Sequence, residues 1–321
     1  MKKLLLITVV LLCSHCLYPW GFYAHRQINY YAVFMLPPEM LVLYKPNIRF
    51  ISDHAVDPDK RRYAVAAEGA RHFIDIDRYG VYPFDSLPRT WAGALQKYGN
   101  DTLQKYGIVP WHIQTMLRRL TSAFAAKDQV SILKLSADIG HYISDAHVPL
   151  HVCSNHNGQL TNQQGIHAFW ESRIPELLAA TSWDFMLGKA TYLANPLAFT
   201  WKRVLESAAA ADSVLRIERE LTSRFSPDQK YSFEPRNGQV IRQYATSYCL
   251  AYNQHLNNMI ERRMQQSITA VASFWYTAWV NAGQPDLKQL VNTTFTSEDL
   301  RAFDQLNREW LKGKALGKDC D

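Results

Sequence analysis

Cysteine is scarce. The chain has five in 321 residues, and two of them, Cys13 and Cys16, fall in an N-terminal stretch that reads as a leader. The remaining three, Cys153, Cys249 and Cys320, allow at most one disulfide and leave a thiol over, and no CxxC spacing joins them, which excludes thiolate metal sites. No apolar run reaches the roughly 18 residues of a membrane-spanning helix. Glycine and proline, 14 each, are too few for a collagen-like or low-complexity chain. Neither sign of charge is in large excess: 35 Lys and Arg against 29 Asp and Glu give +6, and losing Lys2 and Lys3 with the leader leaves +4. Such mild basicity favours anionic partners only weakly. There is no GxSxG elbow, no GxxxxGKS loop and no HExxH pair, and strand alternation bounded by hairpin turns is hard to find.

What is present is apolar material. At 47% hydrophobic and 20% charged residues, the chain can fill one large core, and dominant disorder is excluded. Lys2, Lys3 and the apolar run Leu4 to Cys13 have the form of a secretory signal peptide. Leu12 and His15, where a lipobox needs small residues, argue against a lipid anchor. The expectation is a periplasmic or secreted protein with residues 1–19 as leader and 20–321 as one domain. Two cuts compete: Pro19 is a poor residue before a signal cleavage, and Ser14-His15-Cys16 offers another site that leaves Leu17, Tyr18 and Pro19 in place.

Helical periodicity dominates the rest. Helices are expected from Ala24 to Met35, after Pro110, from a capping Asp128 toward Pro149, from Gly165 through Trp170, from Pro196 to Arg224, from Asn237 to Val280, and after Thr296 and Ser297. Tyr79 to Tyr106, rich in Pro, Gly and Asp, reads as an ordered loop. The fold class expected is all-α.

Ten histidines follow the leader, and their placement is informative. His141 and Asp145 are four apart, so on a helix they share a face, and His167 and Glu171 repeat that spacing. His151 follows just beyond Pro149, where the chain can turn an imidazole toward the same cleft. Upstream lie Asp57, then His72 in RHFIDID fifteen residues on, and at the start Trp20 and His25 in WGFYAH. Taken singly, an HxxxD is a surface pair, Asp57 a turn residue, Trp20 a core aromatic. Their joint occurrence makes a ligand set of imidazoles and carboxylates without thiolates, suited to zinc in a catalytic role. His54, His112, His147, His156 and His255 read as structural or solvated.

These motifs, WGFYAH, Asp57, RHFIDID, HYISDAHVPLH and GIHAFWE, resemble the zinc-dependent phospholipase C and single-strand-specific nuclease superfamily over Trp20 to Glu171. The resemblance implies a helical domain with three zinc ions in one cleft. It implies Asp57, His72, His141 and Asp145 on one ion and His151, His167 and Glu171 on a second. The third would take His25, a bridging Asp145, and the α-amine and carbonyl of Trp20 if Trp20 begins the mature chain. Phosphodiester cleavage suits such a cluster, because closely spaced cations activate water and stabilise the phosphoryl oxygens and leaving group. In that setting Asp145 would bridge, Asp57 would orient or deprotonate water, and Lys60 would neutralise the phosphate. Phe73 and Asp75 match residues that contact the base in the nucleases.

Within the superfamily the spacing from Trp20 to His25, that from Asp57 to His72 and the PLH ending resemble the nucleases. Glu171 resembles the phospholipases. Pro58 and Gly69 stand where choline-preferring phospholipases carry aromatics, and a choline cage needs aromatic faces. The expected activity is that of a single-strand nuclease or 3′-nucleotidase acting on single-stranded nucleic acid or nucleotides. A phospholipase C acting on phospholipid and an inactive zinc-stabilised binding protein are the alternatives, and no obligate protein partner is evident.

Overall fold

In the computed structural model, residues 21–236, 238–290 and 295–316 are described. The leader, Trp20 and Cys320 lie outside the described residues. The chain opens with α1 (Phe22–Val33), α2 (Pro38–Tyr44), α3 (Ile48–Asp53) and the short α4 (Asp57–Arg61). The segment read as a loop contains two further helices, α5 (Trp91–Tyr98) and α6 (Asn100–Tyr106). Its glycines sit between these helices rather than within a single loop: Gly99 and Gly107 take positive φ at the two helix ends.

The centre is built by α7 (Val109–Ala125) and α8 (Gln129–Asp145), with α1 packed beside α8. Asp128 caps α8 by accepting from the Ser131 amide at 3.1 Å, an interaction worth about 1 kcal/mol. α8 stops at Asp145 rather than running on toward Pro149, because Val148, preceding the proline, takes an extended backbone. A 3₁₀ turn, Pro149–Val152, follows and carries His151.

After it come α9 (Ile166–Ala168), a π-helical turn Phe169–Arg173, α10 (Ile174–Ser182), α11 (Pro196–Thr222) and α12 (Pro227–Lys230). A hairpin then interrupts the expected helix: β1 (Tyr231–Arg236) pairs antiparallel with β2 (Gln239–Tyr244). Asn-Gly at 237–238 is a strong two-residue hairpin signal, and the aromatic and β-branched residues on either side favour strands. The hairpin is tied down by Arg173, which donates to Glu234 at 2.8 Å and to the Tyr244 carbonyl at 3.1 Å. α13 (Thr246–His255), α14 (Met259–Asn281) and α15 (Ser297–Leu311) complete an all-α domain with this one small sheet. No described helix is long and apolar enough to cross a membrane.

Two apolar clusters form the interior. The larger includes Tyr44, Tyr142, Phe274 and Trp275; the smaller joins Leu150, Ile166, Phe169 and Trp170 to Tyr248 and Tyr252. Two glycines let polar segments close on one another between them. A Cβ on Gly140 would lie 2.0 Å from Asn29 Oδ1, so only glycine lets α1 lie this close to α8. A Cβ on Gly107, at φ 87°, would lie 2.1 Å from the Phe73 carbonyl oxygen, where residues 106–109 clamp the segment carrying His72.

Candidate metal centre

Six pieces of chain deliver their polar side chains to one place at the boundary of the two cores. α1 brings His25, α4 brings Asp59, and α8 brings His141 and Asp145, one turn apart. His72 follows a 3₁₀ turn, His151 lies in the Pro149–Val152 turn, and the α9 to π-helical stretch carries His167 and Glu171. π-turns recur at functional sites. His25, His72, His141, Asp145, His151, His167 and Glu171 are all buried.

Asp145 lies at the centre. Its Oδ2 is 3.1 Å from His72 Nδ1 and 3.4 Å from His141 Nε2, while its Oδ1 faces His25 Nε2 at 3.6 Å and His151 Nε2 at 4.0 Å. Glu171 also faces two ways: Oε1 is 3.2 Å from His25 Nε2, and Oε2 is 2.7 Å from His167 Nε2 and 3.4 Å from His151 Nε2. Among the described residues, ligand atoms within 4.8 Å of one another form three groups: His25, His141 and Asp145; Asp59, His72 and His141; His151, His167 and Glu171.

The imidazoles are oriented from behind. The Nδ1 atoms of His141, His151 and His167 lie 2.8, 2.9 and 3.2 Å from the carbonyls of Ala55, His72 and His156. A carbonyl can only accept, so Nδ1 carries the proton and the Nε2 lone pair points into the cluster. His25 Nδ1 meets the Ser144 hydroxyl at 2.7 Å, and that hydroxyl donates to the His141 carbonyl. His72 is turned the other way. Its Nδ1 faces the cluster and its Nε2 faces Glu68, 3.7 Å away. Glu68, fully buried, accepts from Arg71 and from the Tyr142 hydroxyl. Sequence reasoning missed Glu68, although its i, i+4 relation to His72 is the same signal that marked His141 and Asp145.

Two sequence expectations need correction. Asp57 does not join the cluster: its carboxylate is held by His54 Nδ1 at 2.5 Å and Lys60 Nζ at 3.1 Å, and Asp59 faces His72 and His141 instead, at 3.6 and 3.5 Å. Two residues on, a helix has turned by about 200°, so the two aspartates point to nearly opposite sides of α4. Lys60 is likewise turned from the cluster, paired to Asp57 and lying 5.8 Å from the Trp310 ring. Phe73 and Asp75 are buried, and Phe73 lines a groove with Arg71 and Lys105. Cys249 is a buried free thiol.

Electrostatics agree with a cation site. Burial lowers the affinity of His72 for a proton to a pKa of about 4 and pushes those of His141 and His151 down, so the imidazoles present lone pairs. Burial, then the charges of Glu171 and Asp59, pushes Asp145 well up, while the neighbouring His151, His167 and His25 outweigh burial and hold Glu171 down. Among the described residues, Asp145 Oδ1 has no hydrogen-bond donor. A buried carboxylate oxygen with no donor, facing neutral imidazoles, is what a divalent cation would satisfy, and nitrogen and oxygen donors without thiolates suit zinc and its neighbours.

No model of a known protein family matches the chain, and no curated protein matches it.

Proposed function

We propose that the chain is an exported, zinc-dependent phosphodiester hydrolase, acting on single-stranded nucleic acid or 3′-nucleotides. The observation that carries the reading is the convergence of five imidazoles and three carboxylates, with Asp145 and Glu171 each facing two groups of ligands. Asp59, His72, His141 and Asp145 would hold one ion, and His151, His167 and Glu171 a second. His25 and Asp145 would hold a third, together with Trp20 if it is the first residue. Zinc, when bound, supplies Lewis acidity to a phosphoryl oxygen and makes water a competent nucleophile near neutral pH. Asp59, whose carboxylate keeps 16% of its surface in solvent against 1% for Asp145, is the group at the edge of the cluster that orients the attacking water and accepts its proton.

Glu171, rather than aspartate, is the feature that favours the phospholipase C reading. Parallel assays of zinc-replete protein on single-stranded DNA or RNA, a 3′-nucleotide and phospholipid vesicles separate the two, each repeated after chelation. Release of nucleotide products that chelation abolishes is expected. Diacylglycerol release without nucleic-acid cleavage would make the lipid reading correct, and no turnover of any of them would leave a zinc-stabilised binding protein.

A further inference from the structure

Beside the cluster, across the segment that presents His72, lies an open groove of about 880 Å³, within the range of a ligand site. Its cationic groups are Arg71, Lys105 and Arg119, its amides Asn100 and Gln104, and no carboxylate among the described residues lines it. It shares Ile108, His112 and Thr115 with a second depression of about 480 Å³, which holds Arg118 and the half-buried ring of Trp91, again without a carboxylate. Four cations thus line two adjoining depressions, taken together as a channel, on a protein whose net charge is only +6. Arg119 has no ion pair or hydrogen bond among the described residues, and Lys105 meets only the face of Tyr106, so their charge is available to a ligand.

The groove is joined to the cluster through the chain itself. His72 faces Asp145 while its neighbours Arg71 and Phe73 line the groove, and residues 106–109, clamped to that segment, follow directly on Lys105. His112 is buried at the junction of the two depressions, with Nε2 lacking a hydrogen-bond partner. A row of cations and amides with an aromatic face further along is the chemistry that follows a phosphate backbone and stacks a base.

We infer that this channel is a subsite for the phosphodiester backbone of a single strand extending beyond the phosphate being cleaved, so that the protein prefers strands to mononucleotides. The inference rests on the proposed activity, but its test can be read without it. Lys105→Glu/Arg119→Glu touches no residue of the metal centre. Lys189→Glu/Arg224→Glu, which makes the same charge change at positions lining neither depression, is the control.

Equilibrium binding of a fluorescent, nuclease-resistant phosphorothioate dT16 strand to zinc-replete protein is the primary readout, with helical content by circular dichroism as the check on folding. The channel variant should bind at least tenfold more weakly than wild type at low salt. Its dependence of log K on log salt should be shallower by about 1.4, roughly 0.7 for each lost phosphate contact. The control should bind within about twofold of wild type, and hydrolysis of a small chromogenic phosphodiester by zinc-replete protein should be the same in all three. Equal strand binding by wild type and channel variant overturns the inference. So does a result in which the channel residues govern binding to anionic phospholipid vesicles and not to dT16. Failure of wild type to hydrolyse the small diester, with strand binding still dependent on Lys105 and Arg119, instead overturns the proposed activity and leaves the channel standing.

Discussion

Asp57 and Asp59 sit in one five-residue helix, yet one is bound up with His54 and Lys60 while the other faces His72 and His141 of the candidate metal centre. Asp59→Asn should therefore lose roughly 100-fold or more in phosphodiester hydrolysis together with a bound cation, whereas Asp57→Asn should keep its metal and alter mainly thermal stability. Metal content and kcat of the two variants check this, and retained metal in Asp59→Asn with loss in Asp57→Asn would reverse the assignment. Asp145 occupies a different rank. With its oxygens turned to two groups of ligands, Asp145→Asn should cost more activity than His167→Ala, which removes a single donor from one group. Equal and mild losses in both would mean that the cluster does not take part in turnover.

Between elements, close approach is what brings the ligands together. Asn29, buried, donates to the carbonyls of Ile51 at 3.2 Å and Ala137 at 3.1 Å, and it occupies the space that a side chain on Gly140 would need. Gly140→Ala should cost about 1–3 kcal/mol, seen as a lower melting temperature, with a loss of activity because α1 carries His25 and α8 carries His141. Unchanged stability would mean that the α1–α8 approach is loose. Farther from the centre, Glu218 on α11 joins α9's approach, α12 and α13: it accepts from Lys230, Gln163, Tyr248 and Thr222. Burial alone would raise its pKa, but the Lys230 and Gln163 hydrogen bonds outweigh that and lower it. A lowered folded-state value means that Glu218 stabilises the fold above the unfolded carboxylate value of about 4.3, and that this contribution is lost as pH falls through the lower folded value. Denaturant titrations of wild type and Glu218→Gln should therefore differ most near neutrality and converge in acid; a constant difference would contradict the sign.

These same elements show what sequence could and could not reveal. The i, i+4 pairs His141 with Asp145 and His167 with Glu171 were legible because a helix fixes which residues share a face. Capping residues Asp128 and Thr296 likewise marked real helix starts. The choice between Asp57 and Asp59 was not legible, since chain spacing says nothing about where a short helix begins to turn. The hairpin at 231–244 was masked by a window tuned to helical periodicity, although its Asn-Gly turn was in plain view. Nor could spacing reveal that Glu171 faces both His25 and His167, which depends on the π-turn that re-aims it.

For the whole molecule, two cores meet along a seam of polar side chains, and α15 closes the outside of α4, with Lys134 bound to Asp299 at 3.0 Å and Phe303 packed on His54. Such a seam is costly to bury without cations, because Glu171 brings charge into a site where the imidazoles stay neutral and burial opposes the ionisation of Asp145. Cation loading should therefore stabilise the whole domain as well as support turnover. The most direct measurement is elemental analysis of the purified, zinc-replete chain, read alongside its N-terminal sequence and its melting temperature with and without chelator. About three zinc ions per chain are expected when Trp20 is the first residue, falling toward two when residues precede it, with a marked drop in melting temperature on chelation. A chain that carries less than one ion and melts at the same temperature with and without chelator would contradict it.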